Sequence, residues 1–332
     1  MAAYACSIPF DLDYDDAPII YLEAFPGEDP DIVAFEIRPA YSNSNTAIKP
    51  EFKPDITFIV NGKEIPVSLN TDHCVTDKYF PYFYVAEYES KPGDKMSIEV
   101  SSEGFETIYA ETTIPEYFPE RKLDLRYEDY GEDTFVGIHI NIDDEEDTDY
   151  AYGFQMIEET ISVSPDTVYV YQRRSGGYQL SYFWDLASVS MEGIIIDMKS
   201  SSISAWDDTM FDGKSAELSV VFPYYDKSDS EIDVLTNFFA WEWVWPYYDE
   251  EGNFICDCSD KVRKKMAFYT MSKECYKYKV AQELISDNAD FPSGLAPANF
   301  CYSNVENGYG AFAGLSVVET DWITREFIES IR

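Results

Sequence analysis

Long apolar runs are missing from this 332-residue chain. No stretch reaches the about 18 consecutive apolar residues that mark a membrane-crossing helix. Basic residues are scarce: 24 Lys and Arg stand against 63 Asp and Glu, a formal net charge of −39. A surface of that sign repels phosphate backbones and anionic lipid, so nucleic acid is excluded as an expected partner. The only histidines are His73 and His139, too few for a multi-histidine metal centre. No G-x-S-x-G elbow, P-loop, dinucleotide fingerprint, H-E-x-x-H or internal repeat occurs. No catalytic residue, metal site or cofactor is therefore assigned. The first five residues carry no basic or apolar leader of their own.

What is present points to sheet. Aromatics make up 17% of the chain, with 27 Tyr and 22 Phe, and such residues favour pleated, half-buried surfaces. "ITFIV-NG-KEIPV" is a hairpin signal, with Asn61-Gly62 suited to a type I′ turn. "KPGDKMSIEVSSEGFETIYAETTIP" reads as two strands punctuated by Pro92-Gly93 and Glu103-Gly104. "TIPEYFPERK" (113–122), with two prolines and no periodicity, marks a boundary. The expected organisation is a spacer over 1–18, an immunoglobulin-like β-sandwich over 19–115, and a larger sandwich or barrel-like domain over 116–332. The exceptions to strand are an amphipathic helix near 272–287, N-capped by Ser272, and a short helix in "WITREFIESI".

Four features could carry chemistry. "FFAWEWVWPYY" (238–248) is the densest aromatic run; read as a strand, it sets Phe239, Trp241, Trp243 and Trp245 on one face. Most of that face is expected to be core, with Trp245, Tyr247 and Tyr248 as the ligand-contact candidates. "DDEEDTD" (143–149) lacks the glycine and spaced ligands of a calcium loop and reads as a solvated hairpin loop. His139 alternates with isoleucines and is expected to be exposed or locally hydrogen-bonded. Cys74, Cys256, Cys258, Cys275 and Cys301 form no even disulfide set once Cys6 is set aside, and are expected to be unpaired or only partly paired.

Several stretches together resemble a family of Bacteroidota outer-membrane lipoproteins known only as a domain of unknown function, number forty-two forty-nine. "SNVENGYGAFAG" (303–314) is similar to its C-terminal Ser-Asn-x-x-x-Gly-x-Gly-x-Phe signature, placing Asn304, Gly308, Gly310 and Phe312 at the matched positions. "WDDTMFDGKSAELSV" (206–220), "YKYKVAQELI" (276–285) and "KPGDKMSIEVSSEGFETIYAETTIP" (91–115) resemble further segments in the same order. The family opens on a lipid-attachment cysteine followed by an acidic spacer, which Cys6 and "SIPFDLDYDD" match, although Ala3 stands where that motif normally has Leu.

The resemblance implies an outer-membrane, lipid-anchored protein facing the cell surface. It also implies a non-catalytic accessory of a TonB-dependent transporter in nutrient uptake. It carries over no ligand, so a glycan or a peptide both fit. An adhesin or fimbrillin-like structural lipoprotein is the second expectation. A glycoside hydrolase whose acid pair lies among the 63 acids is the third.

Overall fold

A computed structural model describes residues 18–29, 31–41, 50–70, 83–130, 133–144, 146, 148–175, 178–179, 197–198, 203–209, 211–224, 230–248, 251–288 and 302–332. Cys6, His73, Cys74 and Cys301 lie outside them. The chain is mostly β, in several packed sheets, and the described strands form no closed barrel. In order, the first strands are β1 (Ile19–Ala24), β2 (Ile32–Ala40), β3 (Asp55–Val60), β4 (Lys63–Ile65), β5 (Ser68–Leu69), β6 (Phe83–Glu87), β7 (Lys95–Ser101) and β8 (Ile108–Thr113). Then follow β9 (Arg121–Tyr130), β10 (Asp133–Asp143), β11 (Tyr150–Ser164), β12 (Thr167–Ser175), β13 (Tyr178–Gln179), β14 (Asp197–Met198), β15 (Ile203–Asp207) and β16 (Ser215–Pro223). The remainder is α1 (Glu231–Phe239), β17 (Ala240–Tyr248), β18 (Phe254–Ser272), α2 (Lys273–Asn288), β19 (Tyr309–Phe312), β20 (Leu315–Glu319) and α3 (Arg325–Ser330).

The first sandwich packs a sheet of order β19-β1-β2-β6-β5 on one of order β4-β3-β7-β8. The Asn61-Gly62 hairpin forms with both residues at positive φ, 51° and 79°, as a type I′ turn requires. β19 comes from the far end of the chain, outside residues 19–115, and runs parallel to β1. Its Phe312 completes a buried trio with Phe35 and Phe58, whose ring centroids lie 5.1 to 6.4 Å apart.

The other signature positions build the same feature. The Asn304 side chain donates to the Phe312 carbonyl (2.8 Å) and accepts from the Phe312 amide (3.0 Å), so it serves as a strand partner. A Cβ on Gly308 would meet Ile108 Cγ2 at 2.6 Å, and one on Gly310, at φ +124°, would meet the Leu22 carbonyl oxygen at 1.9 Å. Both glycines let the chain lie against β1 and β8 at a spacing no side chain permits.

The second unit packs a sheet of order β13-β16-β10-β9 against one built on β11 and β18. Ile138, Ile140, Leu218, Val220, Phe154 and Phe268 are buried between them. β11 and β18 pair without interruption from Tyr150↔Ser272 to Val163↔Ser259. Near the core their outer edges take β15 and β20; farther out they take β12 and β17. The far half is thus a four-stranded arm of order β12-β11-β18-β17.

Three expectations change. Residues 231–239 form a helix rather than the start of a strand. Ser230 caps it by accepting from the Asp233 amide, and Val234, Leu235, Phe238 and Phe239 bury one face. Phe239 therefore ends α1 and does not share a strand face with the tryptophans. Among the described residues the second unit holds three short helices. The 143–149 segment joins strands of different sheets, so it is a crossover and not a hairpin loop. α2 forms as read, with the Ser272 hydroxyl accepting from the Cys275 amide, and α3 ends the chain.

Gly310→Ala is expected to cost about 2 kcal/mol or more, because a close approach and a left-handed φ coincide there. Gly62→Ala, with open space around it, should cost only about 1 kcal/mol. Urea unfolding of the two variants checks the contrast; equal losses would contradict this account of β19.

Candidate functional site

The arm begins where the second sandwich loses its cover. β11 and β18 bury Phe154, Met156, Met266 and Phe268 against the facing sheet. Strand periodicity carries the same face outward beyond that sheet. The register places Tyr171, Thr160, Val262 and Trp241 in one row across the four strands, and Tyr169, Ser162, Asp260 and Trp243 in another. Trp245 and Tyr247 continue the line along β17, opposite Cys258 and Cys256. The six aromatic residues of this face are between 36% and 69% exposed. The opposite face carries rows of Val170, Ile161, Lys261 and Glu242, and of Val168, Val163, Ser259 and Val244.

Trp241 and Trp243 are therefore not core, contrary to expectation. A pleated strand does put them on one face, but the covering sheet ends before reaching them. Of the ligand-contact candidates, Trp245 and Tyr247 join the aromatic face. Tyr248 lies beyond a register shift and packs its ring edge-on against Phe254 at 6.0 Å. Tyr169 and Tyr171 were missed. Their signal was the alternation in "TVYVYQ", which separates tyrosines from valines by face.

Two sets of contacts hold the arm at its root. On the aromatic face the Lys264 ammonium lies 3.2 Å from Glu158 and 3.9 Å from the centroid of Phe238 in α1. Burial draws its pKa below the ordinary lysine value. On the other face Glu159 takes a hydrogen bond from Gln172 and pairs with Arg263, and these hold its carboxyl below the usual range. The Arg263 guanidinium also lies 4.1 Å over Trp322. Cys256 and Cys258 are free thiols, as is Cys275. Burial and the neighbouring Cys256 raise the Cys258 pKa.

Other polar groups serve the fold. His139 is buried on the outer side of β10, with Nε2 2.7 Å from Glu128, Nδ1 3.2 Å from Glu217 and the Ser219 hydroxyl 2.9 Å from Nδ1. Asp144 accepts from the Tyr152 hydroxyl and the Gly213 amide. A cleft of about 750 Å³ lies between the sandwiches, lined in part by Tyr109, Glu111, Asp149, Lys273 and Glu274. Asp149 is engaged there by Lys273 at 2.6 Å, and Glu111 by the Tyr109 hydroxyl at 3.0 Å. Among the described residues no three His, Cys, Asp or Glu side chains converge as metal ligands.

No known family model matches the chain, and no curated protein is significantly similar to it in sequence.

Trp243 is 66% exposed, so Trp243→Ala should change unfolding free energy by no more than about 0.5 kcal/mol. Phe154→Ala, which removes a fully buried ring, should cost about 3–5 kcal/mol. Thermal unfolding of both variants checks whether the aromatic face is spare to the fold.

Asp208 gives a pH prediction. Burial, then the nearby Asp144, Asp149 and Asp212, push its carboxyl up to about 6 against the pull of the Tyr150 amide. The folded chain holds this proton more tightly than the unfolded one. Asp208 therefore favours folding below about pH 4, and that contribution is lost as pH rises through about 6. Asp208→Asn should remove this component and raise stability at pH 7 by on the order of 1–2 kcal/mol. The difference between wild-type and variant urea midpoints from pH 4 to 7 measures it.

Proposed function

We propose that this chain is a non-catalytic binding module, tethered to the outer membrane by lipid on Cys6 and serving as an accessory to a TonB-dependent uptake system. One observation carries the binding part of that reading. Six aromatic side chains lie exposed on one face of a projecting sheet, although the fold has apolar cores elsewhere to hold them. Exposed apolar surface of this kind is costly unless a partner covers it, and Tyr and Trp are the side chains that most often anchor such contacts. The tether, the location and the transporter rest on the family resemblance described above.

A second reading, an adhesin or fimbrillin-like structural protein, has one specific support. Among the described residues the outer edges of β12 and β17 meet no further strand, which leaves them open to strand addition.

The test is affinity capture of the full chain from detergent-solubilised native membranes. A β-barrel transporter should co-purify with the wild type and fall at least several-fold with a Tyr169→Ala/Trp243→Ala variant. Recovery of the chain alone, soluble without detergent, would overturn the proposal. Recovery as head-to-tail polymers would favour the adhesin reading.

A further inference from the structure

By register the aromatic face sets a line of rings on each outer strand, and the strip between the two lines is termed the trough. Its walls are Tyr169 and Tyr171 on β12 and Trp241, Trp243 and Trp245 on β17. The two outer strands stand about 14 Å apart, three inter-strand spacings. Between them lie Thr160 and Ser162 of β11 and Asp260 of β18, each half-buried, while Val262 of β18 is covered, at 4% exposure. Asp260 is half-buried and meets no cation among the described residues.

We infer that this trough takes a cationic peptide segment, seating a Lys or Arg side chain between the aromatic walls and over Asp260. The inference rests on the binding-module reading and names its ligand class.

Charge complementarity carries it. Aromatic rings present electron-rich faces that attract ammonium and guanidinium groups. The chain uses this elsewhere: Arg38 lies over Tyr21, Arg121 over Phe268, Arg263 over Trp322, Lys264 over Phe238 and Lys279 over Phe25. Among the described residues no Lys or Arg lies over the five trough walls. The chain's 24 basic residues are outnumbered by 63 acids; the bases of this face, Lys264 and Arg173, stand at its root beside Glu158, and the rings and Asp260 farther out have no salt-bridge or cation–π partner among the described residues.

A neutral sugar could stack on the walls but would leave Asp260 uncompensated. An anionic ligand would meet both Asp260 and the field of a −39 chain. A guanidinium satisfies rings and carboxylate together, since it stacks by its face and donates from its edge. The surrounding charge would also steer a basic segment toward the arm.

The probes are blocked hexa-arginine, hexa-glutamate and maltohexaose peptides or sugars, titrated into the full chain at 0.15 M salt with tryptophan fluorescence as readout. Hexa-arginine should bind saturably, and Trp243→Ala and Asp260→Asn should each weaken it about tenfold. Glu99→Gln, an equal charge change on an exposed site of the first sandwich, should leave it unchanged. Trp243 is exposed and Asp260 half-buried, and thermal unfolding of each variant beside the wild type verifies that they fold. Equal affinity in all variants would reveal diffuse attraction to an acidic protein and overturn the inference. So would the absence of a hexa-arginine response. Saturation by maltohexaose alone, abolished by Trp243→Ala, would also overturn it while leaving the arm as a binding surface. Failure of the transporter capture is read separately and bears on the uptake role alone.

Discussion

The pairing of β11 with β18 is the constraint on which the rest of the second unit depends. Their ladder runs unbroken from Tyr150↔Ser272 to Val163↔Ser259. One end is sealed in a core and the other stands in solvent. Because side chains alternate with a period of two, the face that buries Phe154 and Phe268 must also be the face that carries Thr160, Ser162 and Asp260. A slip of one residue would exchange the two faces along the whole length. Core packing near Met156 and Met266 therefore fixes which side of the arm is aromatic. No bulge interrupts this relation until Tyr247 and Tyr248, at the far end of β17.

A second dependence binds the two sandwiches. The segment after α2 lends β19 to the first and β20 to the second. The Ala313 amide reaches the Ala24 carbonyl, that of Leu315 the Pro26 carbonyl, and the Ser316 hydroxyl the Glu116 carbonyl. From α2, Tyr278 donates to Glu23 and lies 2.8 Å from the Tyr21 hydroxyl. Gly308, Gly310 and Phe312 are thus explained by geometry: two close backbone approaches and one buried ring. These positions mark a clasp in the fold, and the exposed aromatic face lies elsewhere.

Local chemistry was legible where a few adjacent residues decide the outcome. Asn61-Gly62 forced its turn by conformational preference, and Ser272 capped α2 through a single hydroxyl. Even so, α1 was concealed, because Phe238 and Phe239 adjoin a tryptophan-rich strand and the aromatic run reads as one element. The trough was half legible. "WEWVW" shows three rings on one face, but it does not show whether a second sheet covers them. Tyr169 and Tyr171 belong to the same surface only because β11 and β18 stand between β12 and β17, and no spacing in the sequence expresses that adjacency.

The sequence by itself determined the β-rich class, the main turns, the helix caps and the strongly negative field. These follow from backbone preference, local hydrogen bonding and summed charge, none of which needs a distant partner. Tertiary structure decided which apolar faces are interior. It made the Phe312 ring core by bringing the chain's end back to β1, and it left the β17 tryptophans outside by ending the facing sheet short of them. Burial depends on what lies opposite a face, and that is set by strand order and sheet length rather than by the residues of the face itself.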